Sequence, residues 1–558
     1  MAPTRWVLAF GLTLLTGGLK AAPPLVFYSN DTTHITSCES PWRNPKDAFS
    51  DEHLRASIRE AAGVDAHLLQ PGLGWIPWWQ SRIYSPEDHY RTFLGEHGIA
   101  KPNSYGRYLL AGGDLVATFV DECRRVGVKA IVSYRVNDGH HVRELAKALE
   151  EGKPSQGMSR FYWENYERFR IGPDTADWSQ GVFDWSHPEV PAEKLALIRE
   201  LCERYAIDGI ELDFLRHWVR FAPGRTSPEQ RRAITTAFVR EVRAALDAAE
   251  AKDGRGRTLC LRVPAILALH DEQGIHLPDL AAAGVDVVTL SWSYFTLQDD
   301  SVRKVKALIP DTPVLVEMTH TTLTGKALGG SGTQPYLRTT DEQFYTTAHL
   351  AYEQGADGVS LFNFPYYRAH VTPEIGPFDE PPFHVLPNLR DRGFVARQPH
   401  GYFLTAARKD VALRDLPLPA ILQRNQPRRF TMEMAPTAGV HRDGLLRLRS
   451  DETIADRGLE VKLNGTVLAP APFTAKPLPH RYEAWLGTEE ETRCFSCPIG
   501  LIKQGSNELE VTLQEGIRIR IIYLEVALPT EVPEGQPDFR SATGDGTKLH
   551  GTEVGPAG

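Results

Sequence analysis

One pattern limits the folds open to this chain more than any other. Short apolar runs rich in Val, Ile and Leu recur eight times, each separated from the next by a stretch of helical periodicity. The runs are PLVFYSN (24–30), DAHLLQPG (65–72), KAIVSYRVND (129–138), DGIELDF (208–214), TLCLRVPA (258–265), VDVVTLSW (285–292), PVLVEM (313–318) and DGVSLFNFPYY (357–367). Between them, segments such as GDLVATFVDECRRVG (113–127) and DEQFYTTAHLAYEQG (341–355) carry apolar residues at helical spacing. Repeated strand–helix alternation builds a parallel sheet covered by helices, and eight units predict closure into a (β/α)8 TIM barrel. An open doubly wound sheet is the competing arrangement. It fits less well, because FYSNDTTHI after the first strand contains no glycine to cradle a phosphate.

The helix before the fourth strand is read from a capping-box pattern, Ser186 to Glu189 with Pro188 between, and from an apolar stripe of Leu195, Ile198, Leu201, Cys202 and Tyr205. Past residue 430 the periodicity changes to short alternating strands, among them GLEVKLNGTVL and NELEVTLQ, with a hairpin signal at Asn464-Gly465. These predict a small all-β sandwich over 429–529, following a barrel domain over 23–428. VKLNGTVL and LIKQGSNELEVTL resemble galactose-binding-like jelly rolls, which suits either glycan binding or buttressing of the barrel. The stretch 530–558, rich in Gly, Pro and Thr, is expected to be a disordered tail. At the other end, MAPTRWVLAFGLTLLTGGLKAAPP has a basic residue, an apolar stretch and small residues, the pattern of a secretory signal peptide over 1–22. A secreted or periplasmic location follows as an expectation, with no integral membrane segment after signal removal.

Composition narrows the partners. A net charge of −9 with mixed signs gives no basic footprint for nucleic acid. Six cysteines in 558 residues do not form a disulfide framework, and the lone Cys494/Cys497 pair lacks the second pair a zinc site needs. No cofactor and no catalytic metal are expected, and nothing in the sequence bears on oligomeric state.

In a TIM barrel the active site lies at the C-terminal ends of the strands. Those ends are polar here: Asn30 and Asp31 on the first strand, Gln70 on the second, and Arg135, Asn137, Asp138, His140 and His141 on the third. Glu211, Asp213, Arg216 and His217 end the fourth, and Arg262 the fifth. Trp292 and Tyr294 end the sixth, Glu317 the seventh, and Asn363, Tyr366 and Arg368 the eighth. Strand alternation puts Glu211 and Asp213 on one face and Ile210, Leu212 and Phe214 on the other, so the two carboxylates should turn into the barrel.

The motif DGIELDFLRH resembles the fourth-strand signature of several barrel glycosidases. Alpha-amylase-type enzymes have an Asp-Gly, a nucleophilic Asp five residues after the first, and a His four further on. Asp208, Asp213 and His217 match those spacings. Alpha-galactosidase-type barrels also end this strand in a nucleophilic Asp. The chitinase pattern fails, because Leu215 stands where the catalytic Glu would be. Over about two thirds of the chain, SYRVNDGHH, YAIDGIELDFLRH and LRVP resemble the bacterial glycosyl-hydrolase-like-10 group.

That resemblance implies a glycoside hydrolase with Asp213 as nucleophile or base. Glycosidic cleavage needs a second carboxyl that holds a proton. Glu317 is the first candidate for it, Asp138 the rival and Glu211 a third. Asn30, Asp31, Gln70, Arg135, Asn137, His141, Glu211, Arg216, His217, Arg262, Trp292, Tyr294, Asn363 and Tyr366 are the expected sugar-binding residues. Trp75, Trp78 and Trp79 offer stacking faces or loop packing, and RFYWENYERFR (160–170) a lid or packing. Arg135, Arg216 and Arg262 near one mouth would suit a carbohydrate carrying a carboxylate or sulfate. Two alternatives stand beside this reading: a carbohydrate-binding barrel without catalysis, and a metal-dependent hydrolase drawing on Asp138, His140, His141 and Asp213.

Overall fold

The computed structural model describes residues 22–530 apart from 37, 45, 73–74, 324, 326–335, 369–380, 407–415, 476 and 479–486. Residues 1–21 of the expected signal peptide and 531–558 of the expected tail lie outside the described residues. No helix among the described residues is long and apolar enough to cross a membrane.

Eight parallel strands close into a barrel: β1 (Leu25–Asn30), β2 (Ala66–Leu69), β3 (Lys129–Arg135), β4 (Gly209–Asp213), β5 (Thr258–Pro264), β6 (Val287–Ser291), β7 (Val314–Thr319) and β8 (Gly358–Phe362). β8 pairs with β1 to complete the ring. The principal outer helices are α1 (Asp51–Glu60), α2 (Leu115–Val126), α3 (Glu189–Arg204), α4 (Pro228–Asp253), α5 (Ser301–Leu308) and α6 (Asp341–Glu353).

Strand alternation sorts each strand's side chains into two cores. Outward residues such as Val132, Ile210, Leu212, Leu261 and Val359 join the helix layer. Inward residues Phe27, Leu68, Ile131, Cys260, Val287 and Leu315 form a separate apolar plug. One inward step further along the strands the interior turns polar, with Ser133, Glu211, Arg262, Thr289, Glu317 and Ser360 all buried. The plug seals the bottom of the barrel, and the charges gather towards the mouth.

Capping boxes are present at Ser227/Gln230 on α4 and at Thr340/Gln343 on α6. The one expected at Ser186 is not formed: Pro188 precedes α3 without a side-chain cap, and Ser186 N donates to Asp184 Oδ1 at 2.9 Å. The bend at Asp184 takes the amide that the box would have used.

The sandwich starts upstream of residue 429, where the sequence periodicity puts the boundary. Its strands include β9 (His400–Thr405), β10 (Ala420–Gln423), β11 (Arg428–Met434), β12 (Gly444–Ser450), β13 (Leu459–Leu463), β14 (Thr466–Val467), β15 (Pro470–Ala471), β16 (Thr492–Cys497), β17 (Gly505–Leu513) and β18 (Arg518–Leu528). One sheet runs β9–β18–β12–β16–β15 with β10 also on β18, and the other β11–β17–β13–β14. HGYFLT, the sequence of β9, follows closely on the barrel's last elements, so its pairing partner over a hundred residues later is not visible locally.

β9 also ties the sandwich to the barrel. Gly401 N donates to Thr346 Oγ1 (2.9 Å) and Phe403 N to Gln298 Oε1 (3.1 Å), so barrel side chains cover the free edge of this strand. Cys494 and Cys497 are free and buried on β16.

Candidate active site

Neighbouring strands in register explain how the charges meet. Arg135 on β3 pairs in register with Asp213 on β4, and Asp213 with Arg262 on β5. Strands lie about 4.8 Å apart, so this row sets a carboxylate between two guanidiniums. Arg262 Nη1 donates to both Asp213 oxygens at 3.2 and 3.1 Å, and Arg135 Nε lies 3.9 Å from Oδ2. Asp213 Oδ1 also accepts from the backbone N–H of Leu215 and of Arg216, each at 2.9 Å. The turn after β4 is thereby folded around the carboxylate.

Arg262 then reaches across the barrel to β7. Its Nε donates to Glu317 Oε2 at 2.7 Å and its Nη2 to Oε1 at 2.6 Å, while Ser291 Oγ donates to Oε1 at 2.6 Å. Asp213 and Glu317 are therefore joined through one guanidinium, and both are buried, at 3% and 1% exposure.

Glu211 lies one inward position deeper on β4 and accepts from Ser133 Oγ at 2.7 Å. Burial, with the Asp213 and Glu317 charges adding to it, pushes its carboxyl up to about 8 against the pull of Ser133 and Arg262. Glu211 thus holds a proton at neutral pH.

Asp138 behaves in the opposite way. Burial alone would raise it, but His140, Arg135 and His217 hold it well below the usual carboxylate range. Among the carboxyls considered as proton donor from the sequence, this one has an environment that favours the charged form. Its Oδ1 accepts from His140 Nδ1 at 2.5 Å and from His140 N at 2.9 Å, so it orients that imidazole. His140 Nε2 in turn accepts from Arg216 Nη2 at 3.0 Å. Burial, together with the cations of Arg135 and Arg216, holds His140 below its usual range despite Asp138.

Other expected residues divide between mouth and scaffold. Asp31 lies 3.4 Å from Arg135 Nη2, and its N–H donates to Asn363 Oδ1 at 3.0 Å. Tyr294 lies under the Arg216 guanidinium, 5.0 Å from the ring centre, and Tyr366 stacks on His320 at 4.8 Å. His217 packs edge-on against His140 and Trp178. Asn30 and Gln70 are buried beside the mouth, and neither side-chain oxygen has a hydrogen-bond donor among the described residues.

Asn137, by contrast, staples two loops. Its Nδ2 donates to the carbonyls of Phe183 (3.0 Å) and Val219 (2.8 Å). His141 is buried edge-on against Tyr162 at 4.2 Å, where burial pushes it down to about 3, and Trp292 is buried as well. Asn137 and His141 are thus held against the loops around the site. Trp75, Trp78 and Trp79 also pack a loop: Trp78 stacks on Tyr105 at 3.7 Å, and Trp79 Nε1 donates to Glu200 at 3.0 Å. In the 160–170 segment, Phe161 stacks on Trp75 and Tyr162 on Phe183, which makes it packing.

Ser133 and Ser291 are site residues the sequence did not single out, and His140, named there only at a strand end and as a metal-ligand candidate, joins them. The two serines sit at inward positions by strict alternation from Arg135 and from Thr289, which is the signal that could have found them.

Backbone strain collects at the same end. Among the described residues five non-glycine residues have positive φ, and three of them follow barrel strands: His217 (φ 51), Ser293 (φ 66) and Asn363 (φ 56). Gly139 belongs to this tight packing, since a Cβ there would stand 2.9 Å from Val182 and 3.2 Å from His217.

Asp138, His140 and His217 each bring a possible ligand atom within 4.8 Å of the others. Two cations lie against this set: Arg216 donates to His140 Nε2, and Arg135 Nη1 lies 3.5 Å from Asp138 Oδ2.

No family model matches the chain. Over 122 residues it is 27% identical to a 1,4-alpha-glucan branching enzyme of Xanthomonas euvesicatoria pv. vesicatoria (strain 85-10), a stretch spanning 21% of this chain and 14% of that enzyme. Among solved structures it is similar to a glycoside hydrolase family 18 N-acetylglucosaminidase from Paenibacillus barengoltzii, at 13% identity and TM-score 0.38 over 66% of this chain and 99% of that one. It is also similar to an Anoxybacillus alpha-amylase (11%, TM-score 0.36, 88% of this chain and 98% of that one). A chitinase from Bacillus thuringiensis is a third (9%, TM-score 0.38, 90% and 100%).

Proposed function

We propose that this chain is a glycoside hydrolase that cleaves a poly- or oligosaccharide at the barrel mouth, outside the cytoplasm, with Asp213 at the centre of the chemistry. One observation carries the reading: Asp213 from β4 and Glu317 from β7 bind the two sides of Arg262 at the C-terminal end of a closed barrel. Two carboxyl groups flanking one point are what glycosidic cleavage requires. The resemblance of DGIELDFLRH to glycosidase fourth strands, and of the barrel to the glycosyl-hydrolase-like-10 group, agrees with it.

The roles follow from the hydrogen bonds. Asp213 accepts from two backbone N–H groups and from Arg262, which fix its carboxylate at the mouth, so it serves as nucleophile or base. Glu317 accepts from Arg262 Nε and Nη2 and from Ser291 Oγ and is the second carboxyl of the pair. Burial favours the neutral form of Glu211, one inward position deeper on β4.

A carbohydrate-binding barrel without turnover is the second reading, favoured by the burial of both Asp213 and Glu317. Reducing-end release from a panel of neutral and acidic polysaccharides and aryl glycosides separates the two. Turnover upholds the hydrolase; glycan binding with no turnover anywhere on the panel leaves the binding barrel.

A further inference from the structure

Four carboxylates and three guanidiniums meet at the mouth, and their pairing leaves one cation over. Arg262 serves Asp213 and Glu317, and Arg135 lies among Asp31, Asp138 and Asp213. Arg216 has no carboxylate within ion-pair distance among the described residues. Its guanidinium donates one hydrogen bond, to the neutral acceptor His140 Nε2, and its Nε is buried without an acceptor. Arginine stays charged at any pH a protein survives and carries five N–H donors in a fixed plane. The ring of Tyr294 beneath it fixes that plane, and Arg216, His140 and Tyr294 are all only partly buried where the carboxylates are fully so.

We propose that Arg216, with His140 and Tyr294, forms a subsite for an oxyanion carried by the sugar, a ring carboxylate or a sulfate ester. This deepens the glycosidase reading and rests on it. The backbone N–H of Arg216 is bonded to Asp213 Oδ1, so the subsite is tethered to the group assigned the chemistry. The charged substituent therefore belongs to the sugar unit at the scissile bond or next to it. The planar guanidinium suits bidentate binding of such a group. An arriving oxyanion takes the Nη2 hydrogen bond from His140 and gives Nε an acceptor. His140, anchored at Nδ1 by Asp138, stays in place to border the ligand. The carboxylates of the floor are turned to Arg135 and Arg262, so the ligand charge meets Arg216 first.

Calorimetric titration of the wild-type protein and of Arg216→Met tests this with three sets of oligosaccharides: uronate-containing, sulfated, and the neutral counterparts of each. The wild type should bind one acidic set about tenfold or more tightly than its neutral counterpart, and added salt should shrink that preference. Arg216→Met should bind acidic and neutral forms alike. Which acidic set is preferred tells carboxylate from sulfate. Equal affinity for acidic and neutral glycans in the wild type, or a preference that survives Arg216→Met, overturns the subsite. Binding is read without turnover, so cleavage of neutral glycans with no acidic preference sinks the subsite alone. Arg216-dependent binding with no cleavage sinks the hydrolase alone.

Discussion

Arg262 grips Glu317 through two parallel hydrogen bonds of 2.6 and 2.7 Å, and the same guanidinium holds Asp213 at 3.1 Å on its other side. All three side chains are buried. One cation thus compensates two carboxylates in the centre of the barrel mouth.

Removing that cation should be costly. Arg262→Met leaves Asp213 and Glu317 buried without their shared partner, and breaking a buried pair in this way costs about 3–5 kcal/mol. Guanidinium unfolding of wild type and variant reads it directly. A loss below about 1 kcal/mol would mean that water or Arg135 replaces Arg262, and that the bridge is not the organising contact of the mouth.

Glu211 makes a pH prediction of defined sign. Its folded carboxyl sits at about 8, above the ordinary unfolded value of roughly 4.3. The folded state then holds a proton that the unfolded state has released. The contribution to stability is full below about pH 4.3 and declines as pH rises towards 8. Glu211→Gln keeps the neutral shape and removes the titration. The variant should match the wild type near pH 4 and exceed it by several kcal/mol at pH 8.5. Parallel stability profiles of the two proteins would contradict the assignment.

Three histidines stack where the sandwich meets the barrel. His349 of α6, His400 of β9 and His441 have ring centres 4.8 and 4.2 Å apart in sequence. Burial lowers all three, and neighbouring imidazoles add to it at His400 and His441, against carbonyl acceptors and the Glu353 charge near His349. The fold therefore favours their neutral forms. Stability is complete above about pH 6.5 and falls as the pH drops through that value, because only the unfolded chain takes up protons there. Amide exchange of β9 should accelerate between pH 7 and pH 5 before exchange in the barrel strands does, after correction for intrinsic rates. Uniform protection at both pH values would contradict this.

Glu200 should matter for stability more than its charge suggests. Its oxygens accept from Trp79 Nε1 (3.0 Å), Ser81 Oγ (2.7 Å) and the Arg82 N–H (2.5 Å). Glu200→Ala strands buried donors of the tryptophan loop and should cost about 2–4 kcal/mol in thermal or chemical unfolding. An unchanged Tm would show that the loop packs without this anchor.

The barrel was legible because its signal is local. Each strand is an apolar run, and period-2 alternation turns Glu211 and Asp213 inward while Ile210 and Leu212 face the helices. The start of the sandwich was hidden because β9 is defined by pairing with β18, a contact no local pattern reports. At the mouth, which charged residues gather was readable, and which donors each carboxyl meets was not. Whether a carboxyl carries a proton depends on which donors surround it. Asp138, Glu211 and Glu317 look alike in sequence, yet the first is bonded to His140, the second to Ser133 and the third to Arg262 and Ser291. The tryptophans beyond β2 were ambiguous for the same reason, since stacking on sugar and packing on Tyr105 ask for the same residue.

The most direct test of the account is the turnover of Asp213→Asn beside the wild type, on whichever glycan of the panel the wild type cleaves, with circular dichroism confirming that both are folded. Loss of the nucleophile or base should lower kcat/KM by about a thousandfold or more, with the fold intact. A folded Asp213→Asn protein that cleaves the same glycan at the wild-type rate would remove Asp213 from the chemistry, and the proposed mechanism with it.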